Sequence, residues 1–161
     1  MNIFFEQHLE IIKALLIHKV DFLLIGGYAV IFHGYKRSTG DMDLWLKPSN
    51  ENKIKFIEAL QEAEFDENDL AALDSLNFEN HLVFSIGNEP EKIDFITRIN
   101  QVEFEEANQN KIITEWEGLS IPVINLRELI LSKINTGRKK DEADIEELQK
   151  INASKKKGFD L

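Results

Sequence analysis

Residues 24–30 read LIGGYAV, and a short loop later residues 37–44 read RSTGDMDL. The first segment predicts a buried strand that runs into a Gly-Gly turn and a short helix. In the second segment polarity alternates from Asp41 onward, which predicts another strand. Because successive side chains of a strand point to opposite faces, Asp41 and Asp43 share one face of it.

The Asp41/Asp43 pair has a chemical meaning only together with the glycine turn. Two adjacent carboxylates repel each other unless a cation lies between them, and oxygen ligands favour Mg²⁺ or Mn²⁺. Taken alone, an Asp-x-Asp pair equally describes two solvated acids, and a glycine pair equally describes a steric turn. Backbone N–H groups at a helix N-terminus, however, favour a phosphate. The two features combined indicate a site for a metal–nucleotide complex.

Asp94 is the candidate for a third acid at this site. It lies between Ile93 and Phe95 in a predicted strand over residues 92–96. A lone carboxylate among apolar neighbours costs stability unless it is paired or bound to a metal. The same alternation also fits an acid on the solvated face of an ordinary strand.

The remaining elements follow from periodicity, caps and turn residues. Helices are predicted over residues 3–19, 28–33, 49–64, 125–136 and 141–151, and further strands over 81–86, 111–114 and 119–124. Residues 66–79 are ambiguous. This mixture predicts an α/β (α+β) fold in which helices flank a small mixed sheet.

The composition is typical of one globular domain. The chain has 161 residues, of which 43% are hydrophobic and 30% charged, so we expect a single domain over residues 1–161 with its own core. Since there is no cysteine, a disulfide scaffold, a zinc ribbon and a cysteine nucleophile are excluded.

Charge is distributed unevenly along the chain. The net charge of −10 argues against binding of extended duplex DNA. Residues 1–126 carry 10 basic and 22 acidic side chains, whereas residues 127–161 carry 9 and 7, so the C-terminal part can supply cations to a local pocket. The lysines at 155–157 are typical of a solvated tail. Without a targeting segment or a membrane span, we expect a soluble, cytoplasmic protein.

Three features resemble the nucleotidyltransferases of the DNA polymerase β superfamily: the Gly-Gly turn, the Asp-x-Asp pair, which thirteen residues separate from Gly27, and the later strand acid. Residues 124–130 (INLRELI) begin a second similarity, to the small AbiEii/AbiGii-type nucleotidyltransferases of toxin–antitoxin and phage-exclusion systems. The other residues of that similarity are Lys133, Arg138, Asp141 and Asp144. Together the two cover about residues 20–148.

The resemblance implies a polymerase β-type nucleotidyltransferase fold. Its catalytic core would span about residues 20–100, with a C-terminal helical part, about residues 125–152, packed on the core. The implied metal ligands for Mg²⁺ or Mn²⁺ are Asp41, Asp43 and Asp94, of which Asp94 also faces the attacking hydroxyl. The implied nucleotide-binding residues are Gly26, Gly27, Arg37, Thr39 and Lys133.

The implied activity is metal-dependent transfer of a nucleoside monophosphate from an NTP to a hydroxyl group. The acceptor is a protein, a tRNA 3′ end or a small molecule such as an antibiotic, and a toxin or antitoxin protein is a candidate partner. The alternative is a non-catalytic, antitoxin-like binding module with the same fold. The complete set of three acids favours the enzyme.

Several residues allow two interpretations each. Asp141 matches a family position and equally fits a helix N-cap. Trp45 shares the face of the acids and could stack on a base, although core packing is the simpler interpretation. Tyr28 fits either the pocket or helix packing. The four histidines lack metal-ligand spacing and are expected to be structural or exposed: His8, His18, His33 and His81.

Overall fold

The computed structural model of the chain describes residues 6–159, with side chains as far as Lys155. The helices in that part are α1 (Glu6–Ile17), α2 (Gly26–Phe32), α3 (Asn50–Glu62), α4 (Glu67–Asp74), α5 (Phe104–Gln109), α6 (Leu126–Lys133) and α7 (Lys139–Phe159). The strands are β1 (Phe22–Ile25), β2 (Met42–Leu46), β3 (Val83–Ile86), β4 (Ile93–Ile96), β5 (Ile112–Trp116) and β6 (Leu119–Val123). None of the helices described is long and apolar enough to cross a membrane.

The six strands form one mixed sheet in the order β3-β4-β2-β1-β6-β5. Strand β2 runs parallel to β4, and β1 runs parallel to β6. The other neighbouring pairs, β1 with β2, β3 with β4, and β5 with β6, are antiparallel. This arrangement confirms the predicted α/β class with a small mixed sheet.

Strand register decides which side chains face the core. Phe84, Phe95, Leu44 and Leu24 pair across four adjacent strands. Phe95 and Leu44 are fully buried, and the ring of Phe95 lies 4.9 Å from that of Phe56 on α3. Because side chains alternate along a strand, the residues next to these face the opposite side of the sheet. Asp43 and Asp94 are two of those residues.

Local caps begin two of the helices where the sequence predicts them. The Ser49 side chain accepts a hydrogen bond from the backbone N–H of Asn52, and the Asn125 side chain accepts one from Arg127. Each bond satisfies a backbone donor that the first turn of a helix leaves open. The strands predicted over residues 81–86 and 92–96 pair as the antiparallel hairpin β3–β4, and those predicted over 111–114 and 119–124 pair as β5–β6.

The C-terminal helices differ from the prediction in their limits. Helix α6 ends at Lys133, three residues before its predicted end, and α7 already begins at Lys139. Asp141 is therefore inside the first turn of α7, and the N-cap interpretation is wrong. Helix α7 continues to Phe159, so the backbone of the segment interpreted as a solvated tail, residues 155–157, is helical. Buried Leu129 and Leu148 join both helices to the core.

The N-terminal and central helices differ less. Residues 3–5 of the first predicted helix lie outside the described residues, and α1 ends at Ile17. The ambiguous segment 66–79 contains α4, which is capped by the side chain of Asp66. Helix α5 lies in a segment for which the sequence predicts no element.

Candidate active site

The three predicted acids lie together near the start of β2 and β4. Asp43 pairs with Asp94 in the parallel register of these strands, and Asp41 immediately precedes β2. On the far side of β4, the Ser85 hydroxyl donates a hydrogen bond to Oδ1 of Asp94. Tertiary pairing therefore places carboxylates that are about fifty residues apart in the chain next to each other.

This group of acids has an excess of negative charge. Burial, together with the nearby Asp94 and Asp41, raises the pKa of Asp43 to about 6. Burial and the neighbouring Glu89 raise the pKa of Asp41 as well. Oδ1 of Asp41 is buried and has no hydrogen-bond partner among the residues that the structure describes. Repulsion between these carboxylates persists until a cation lies between them or one of them binds a proton.

Lys92, which the sequence analysis did not single out, is the cation that touches this group. Its Nζ lies 3.5 Å from Oδ1 of Asp94, 4.0 Å from Oδ2 of Asp41 and 3.5 Å from Oε1 of Glu89. The spacing of Lys92 and Asp94 in the sequence could have predicted this contact, because residues two apart on a strand share a face.

The glycine pair forms the first two residues of α2 and permits close packing against the acids. Gly26 has φ +66°, and a Cβ atom there would lie 2.1 Å from Oδ2 of Asp43. A Cβ atom on Gly27 would lie 2.6 Å from Oγ1 of Thr39. Any larger side chain at Gly26 would therefore displace the carboxylate of Asp43.

Arg37 and Lys133 are held by two buried acids of α7. Nε and Nη2 of Arg37 donate to Oδ1 and Oδ2 of Asp144 at 3.0 and 3.2 Å. Nζ of Lys133 lies 3.0 Å from Oδ1 of Asp141 and 3.0 Å from Oδ2 of Asp144. The Asp144 side chain is only 1% exposed. Asp144 thus joins the loop before β2 to both C-terminal helices.

Two cavities meet at the acids. The smaller has a volume of about 280 Å³ and is lined by all eight predicted site residues. Arg138 and Lys140 add further positive charge to its lining. The larger has a volume of about 800 Å³ and shares Asp43, Asp94 and Lys133 with the smaller one. Part of its wall is apolar, formed by residues such as Ile25, Val83, Ile96, Ile99 and Leu129.

The match to a protein family covers nearly the whole chain. Residues 4–161 match the model of a family described as "Nucleotidyl transferase of unknown function (DUF2204)". The chain belongs to this nucleotidyltransferase family. A search of curated protein sequences finds no match. The narrower resemblance to the AbiEii/AbiGii-type enzymes stays a prediction.

Two solved structures support the fold of this nucleotidyltransferase. The lincosamide antibiotic adenylyltransferase LnuA, with lincomycin bound, is similar with a TM-score of 0.54 and 19% identity, over 93% of this chain and 99% of LnuA. A putative nucleotidyltransferase from Thermotoga maritima, TM1012, is similar with a TM-score of 0.51 and 14% identity, over 96% and 92% of the two chains. At identities this low, structural similarity shows the fold alone. The two matches confirm the predicted polymerase β-type fold.

The acids of this nucleotidyltransferase fit a divalent metal in their chemistry. Among the described residues, no three His, Asp or Glu side chains are already arranged to hold an ion. The donors are nevertheless carboxylate oxygens, which Mg²⁺ and Mn²⁺ prefer. The unpartnered Oδ1 of Asp41 and the raised pKa of Asp43 both indicate that a cation would relieve repulsion here.

Two aromatic candidates do not line either cavity of the candidate site. Trp45 is 1% exposed, donates through Nε1 to the carbonyl of Thr97 and packs edge-on against Phe104. The interpretation that it stacks on a base is therefore wrong. Tyr28 is fully buried with its hydroxyl 3.2 Å from Nδ1 of His8, so it packs within the core rather than lining either cavity.

Of the four histidines of this nucleotidyltransferase, two are buried and hydrogen-bonded to backbone carbonyls, and the other two are at least partly exposed. Nε2 of His8 lies 2.9 Å from the carbonyl of Glu91, and Nε2 of His33 lies 2.7 Å from that of Ile124. Burial lowers the pKa of both. His18 pairs with Glu62. His81 is exposed and lines the larger cavity.

Proposed function

We propose that this nucleotidyltransferase moves a nucleoside monophosphate from a metal-bound NTP to a hydroxyl acceptor. The observation that carries this proposal is the position of Asp43 and Asp94, which line both a small cavity that contains four cationic side chains and a larger cavity with apolar walls; Asp41 lies beside them in the smaller one. A donor and an acceptor can then approach the same carboxylates from different sides.

The smaller cavity fits the triphosphate. Arg37, Lys133, Arg138 and Lys140 line it, and cationic side chains make strong, charge-assisted hydrogen bonds to phosphate. Its volume of about 280 Å³ lies just below the range of about 300–1,000 Å³ usual for whole small-molecule sites. The nucleoside therefore extends towards the larger cavity.

The acids have distinct tasks in the proposed reaction. The acceptor oxygen attacks the α-phosphorus, pyrophosphate leaves, and the hydroxyl proton passes to the carboxylate of Asp94. The attacking and leaving oxygens are roughly in line during phosphoryl transfer. With pyrophosphate in the smaller cavity, the acceptor enters from the larger one.

Asp41, Asp43 and Asp94 are the residues proposed to hold Mg²⁺ or Mn²⁺. A bound divalent ion supplies neutralisation of the charge that develops on the phosphate oxygens. Asp94 lies next to Asp43 in the strand register and is hydrogen-bonded by Ser85. Its carboxylate is thereby oriented beside both the metal ligands and the larger cavity.

A small molecule is the acceptor class that we favour among those implied by the resemblance. The larger cavity, at about 800 Å³, is within the usual range for small-molecule sites, and it combines apolar walls with a few polar groups. The similar enzyme LnuA is named for modifying lincosamide antibiotics. Protein and tRNA acceptors, and a toxin–antitoxin partner, are the competing outcomes of the test below.

The test is incubation of the full chain with each α-labelled NTP, Mg²⁺ and fractionated lysate, followed by separation of RNA, protein and small molecules. We expect label in the small-molecule fraction, and a loss of at least about 10²-fold for Asp94→Asn, in which the general base is removed. Asp69→Asn, an exposed acid on α4, is the matched control and should transfer label at the wild-type rate.

Two results would contradict the proposal. If Asp94→Asn transfers label as fast as the wild type, Asp94 has no part in the reaction. If the wild type transfers nothing with any fraction while a lysate protein binds it and Asp94→Asn equally, the non-catalytic binding module is the better description.

A further inference from the structure

The ammonium group of Lys92 lies among the acids of the candidate site. Lys92 directly precedes β4, and its backbone carbonyl accepts a hydrogen bond from the N–H of Met42 at 3.0 Å. This pairing aligns Lys92 with the start of β2. Since Lys92 and Asp94 are two residues apart on an extended segment, their side chains point to the same face.

The contacts of Lys92 are those of a cation shared by several carboxylates. Its Nζ is within 4.0 Å of Asp41, Asp94 and Glu89. Among the ion pairs of the described residues, no other cation comes within 4.0 Å of Asp41 or Asp94. Lys92 thus neutralises part of the negative charge of Asp41 and Asp94, two of the proposed metal ligands.

We propose that Lys92 competes with the free divalent ion for Asp41 and Asp94. A divalent ion and an ammonium group repel each other, so the ion can approach these carboxylates only when Nζ moves away. The side chain has space to move, because it lines the larger cavity. The free ion is therefore bound weakly, and tight binding requires the additional ligands of the nucleotide phosphates. This inference rests on the proposed function, since it takes the acids as the metal site.

Lys150 on α7 provides a matched comparison. Its Nζ lies 3.3 Å from Oε1 of Glu147 and 3.7 Å from Oε1 of Glu146. It too is a lysine shared by carboxylates, but it lies outside both cavities of the site. Removing it changes the overall charge by the same amount without changing the charge at Asp41 and Asp94.

The experiment is a calorimetric titration of the full chain with Mn²⁺ in the absence of nucleotide. We expect Lys92→Met to bind Mn²⁺ at least about tenfold more tightly than the wild type, a change of about 1.4 kcal/mol. Lys92→Gln should behave in the same way and serves if Lys92→Met does not fold. Lys92→Arg, which keeps the charge, and Lys150→Met should match the wild type.

A second readout locates the effect. Adding Asp41→Asn to Lys92→Met should cancel the gain in Mn²⁺ affinity, because the neutral amide is a weaker ligand. In thermal melts, Mn²⁺ should raise the midpoint of Lys92→Met more than that of the wild type, since a ligand that binds only the folded state stabilises it.

The outcomes separate this inference from the proposed function. If folded Lys92→Met or Lys92→Gln binds Mn²⁺ no more tightly than the wild type, while nucleotide binding still depends on metal, only the role of Lys92 is overturned. If neither the wild type nor any variant binds Mn²⁺, even with nucleotide present, the metal site and the role of Lys92 are both overturned.

Discussion

Two groups of charged residues face the small cavity, and they differ in charge balance. The acidic cluster consists of Asp41, Asp43 and Asp94, and the ion-pair network consists of Arg37, Lys133, Asp141 and Asp144. In the acidic cluster, burial and like charges raise the pKa of Asp43 to about 6. In the network, burial opposes ionisation of Asp141, but hydrogen bonds from Thr136 and Lys133 outweigh it and lower its pKa.

Aspartate side chains therefore have opposite roles in the two groups. Each acid of the network has a cation at 3.0 Å, so its charge is already balanced within the protein. The acidic cluster has one lysine, Lys92, at 3.5–4.0 Å from two of its members. We infer that the ion pairs of the network hold α6 and α7 in place and fix Arg37 and Lys133 beside the small cavity, whereas the acidic cluster is available to a cation. The following variants test that contrast.

The largest effect is expected from Asp144→Ala. This change removes the carboxylate that Arg37 and Lys133 share, and it leaves buried cations without full compensation. Breaking a buried ion pair by removing one partner costs about 3–5 kcal/mol. Urea denaturation should therefore show a loss of that size in the free energy of unfolding. A loss below about 1 kcal/mol would mean that the network does not hold the C-terminal helices.

Asp43→Asn should have the opposite effect on stability. The pKa of Asp43 is about 6 in the folded chain, against an ordinary value of 3.8, so the fold favours the protonated carboxyl. Its ionisation lowers the free energy of unfolding as the pH rises from about 4 to above 6. Because one pKa unit corresponds to about 1.36 kcal/mol, the variant should be more stable at pH 7.5 by up to about 3 kcal/mol.

Urea denaturation in EDTA between pH 3 and 8 measures that difference for Asp43→Asn. The two proteins should converge in stability as the pH falls below about 4, the ordinary pKa, because the wild-type carboxyl then becomes protonated in both the folded and the unfolded state. A variant that is less stable than the wild type at pH 7.5, or a difference that does not change with pH, would show that the acidic cluster is not strained by its charge.

Gly26→Ala tests the close contact between the glycine turn and the acidic cluster. Gly26 and Gly118 both have positive φ, +66° and +81°. A Cβ atom on Gly26 would meet Oδ2 of Asp43 at 2.1 Å, whereas one on Gly118 would meet no atom of the described residues within 4 Å. Gly118→Ala thus measures the backbone cost alone. Gly26→Ala should lose about 1–3 kcal/mol more, the usual cost of overpacking. Equal losses in thermal or urea unfolding would exclude the steric contribution.

The smallest effect is expected from Glu147→Ala. Its partner Lys150 is 63% exposed, and exposed ion pairs contribute about 0.2–1 kcal/mol. The free energy of unfolding should fall by less than about 1 kcal/mol, and added salt should reduce the difference further. If this variant cost as much as Asp144→Ala, burial could not be the reason that the network is strong.

Elements whose ends are set by neighbouring residues could be predicted from the sequence. Ser49 and Asn125 begin helices because their side chains reach a backbone N–H two or three residues further on. The β5–β6 hairpin closes around Gly118, whose positive φ suits a tight turn. In each case the interaction spans only a few residues, so local spacing contains the necessary information.

Elements and contacts that depend on distant partners could not be predicted in this way. Helix α5 has only six residues, and it is held through Phe104, which packs 5.1 Å from Trp45. The same contact buries Trp45 and excludes it from the site. Asp141 is of a residue type that often caps helices. Its side chain instead accepts hydrogen bonds from Lys133, on another helix, and from Thr136.

The sequence by itself determined the chemical groups of this protein: a glycine pair, two carboxylates on one strand face, and a third acid on a later strand. Alternation along a strand and the flexibility of glycine are local properties, and local spacing encodes them. Only the tertiary structure decided that Asp43 lies beside Asp94, that Lys92 lies between Asp94 and Asp41, and that Arg37 and Lys133 are already paired. The physical reason is that charge interactions depend on distance in space, and strand register and helix packing set those distances between residues far apart in the chain.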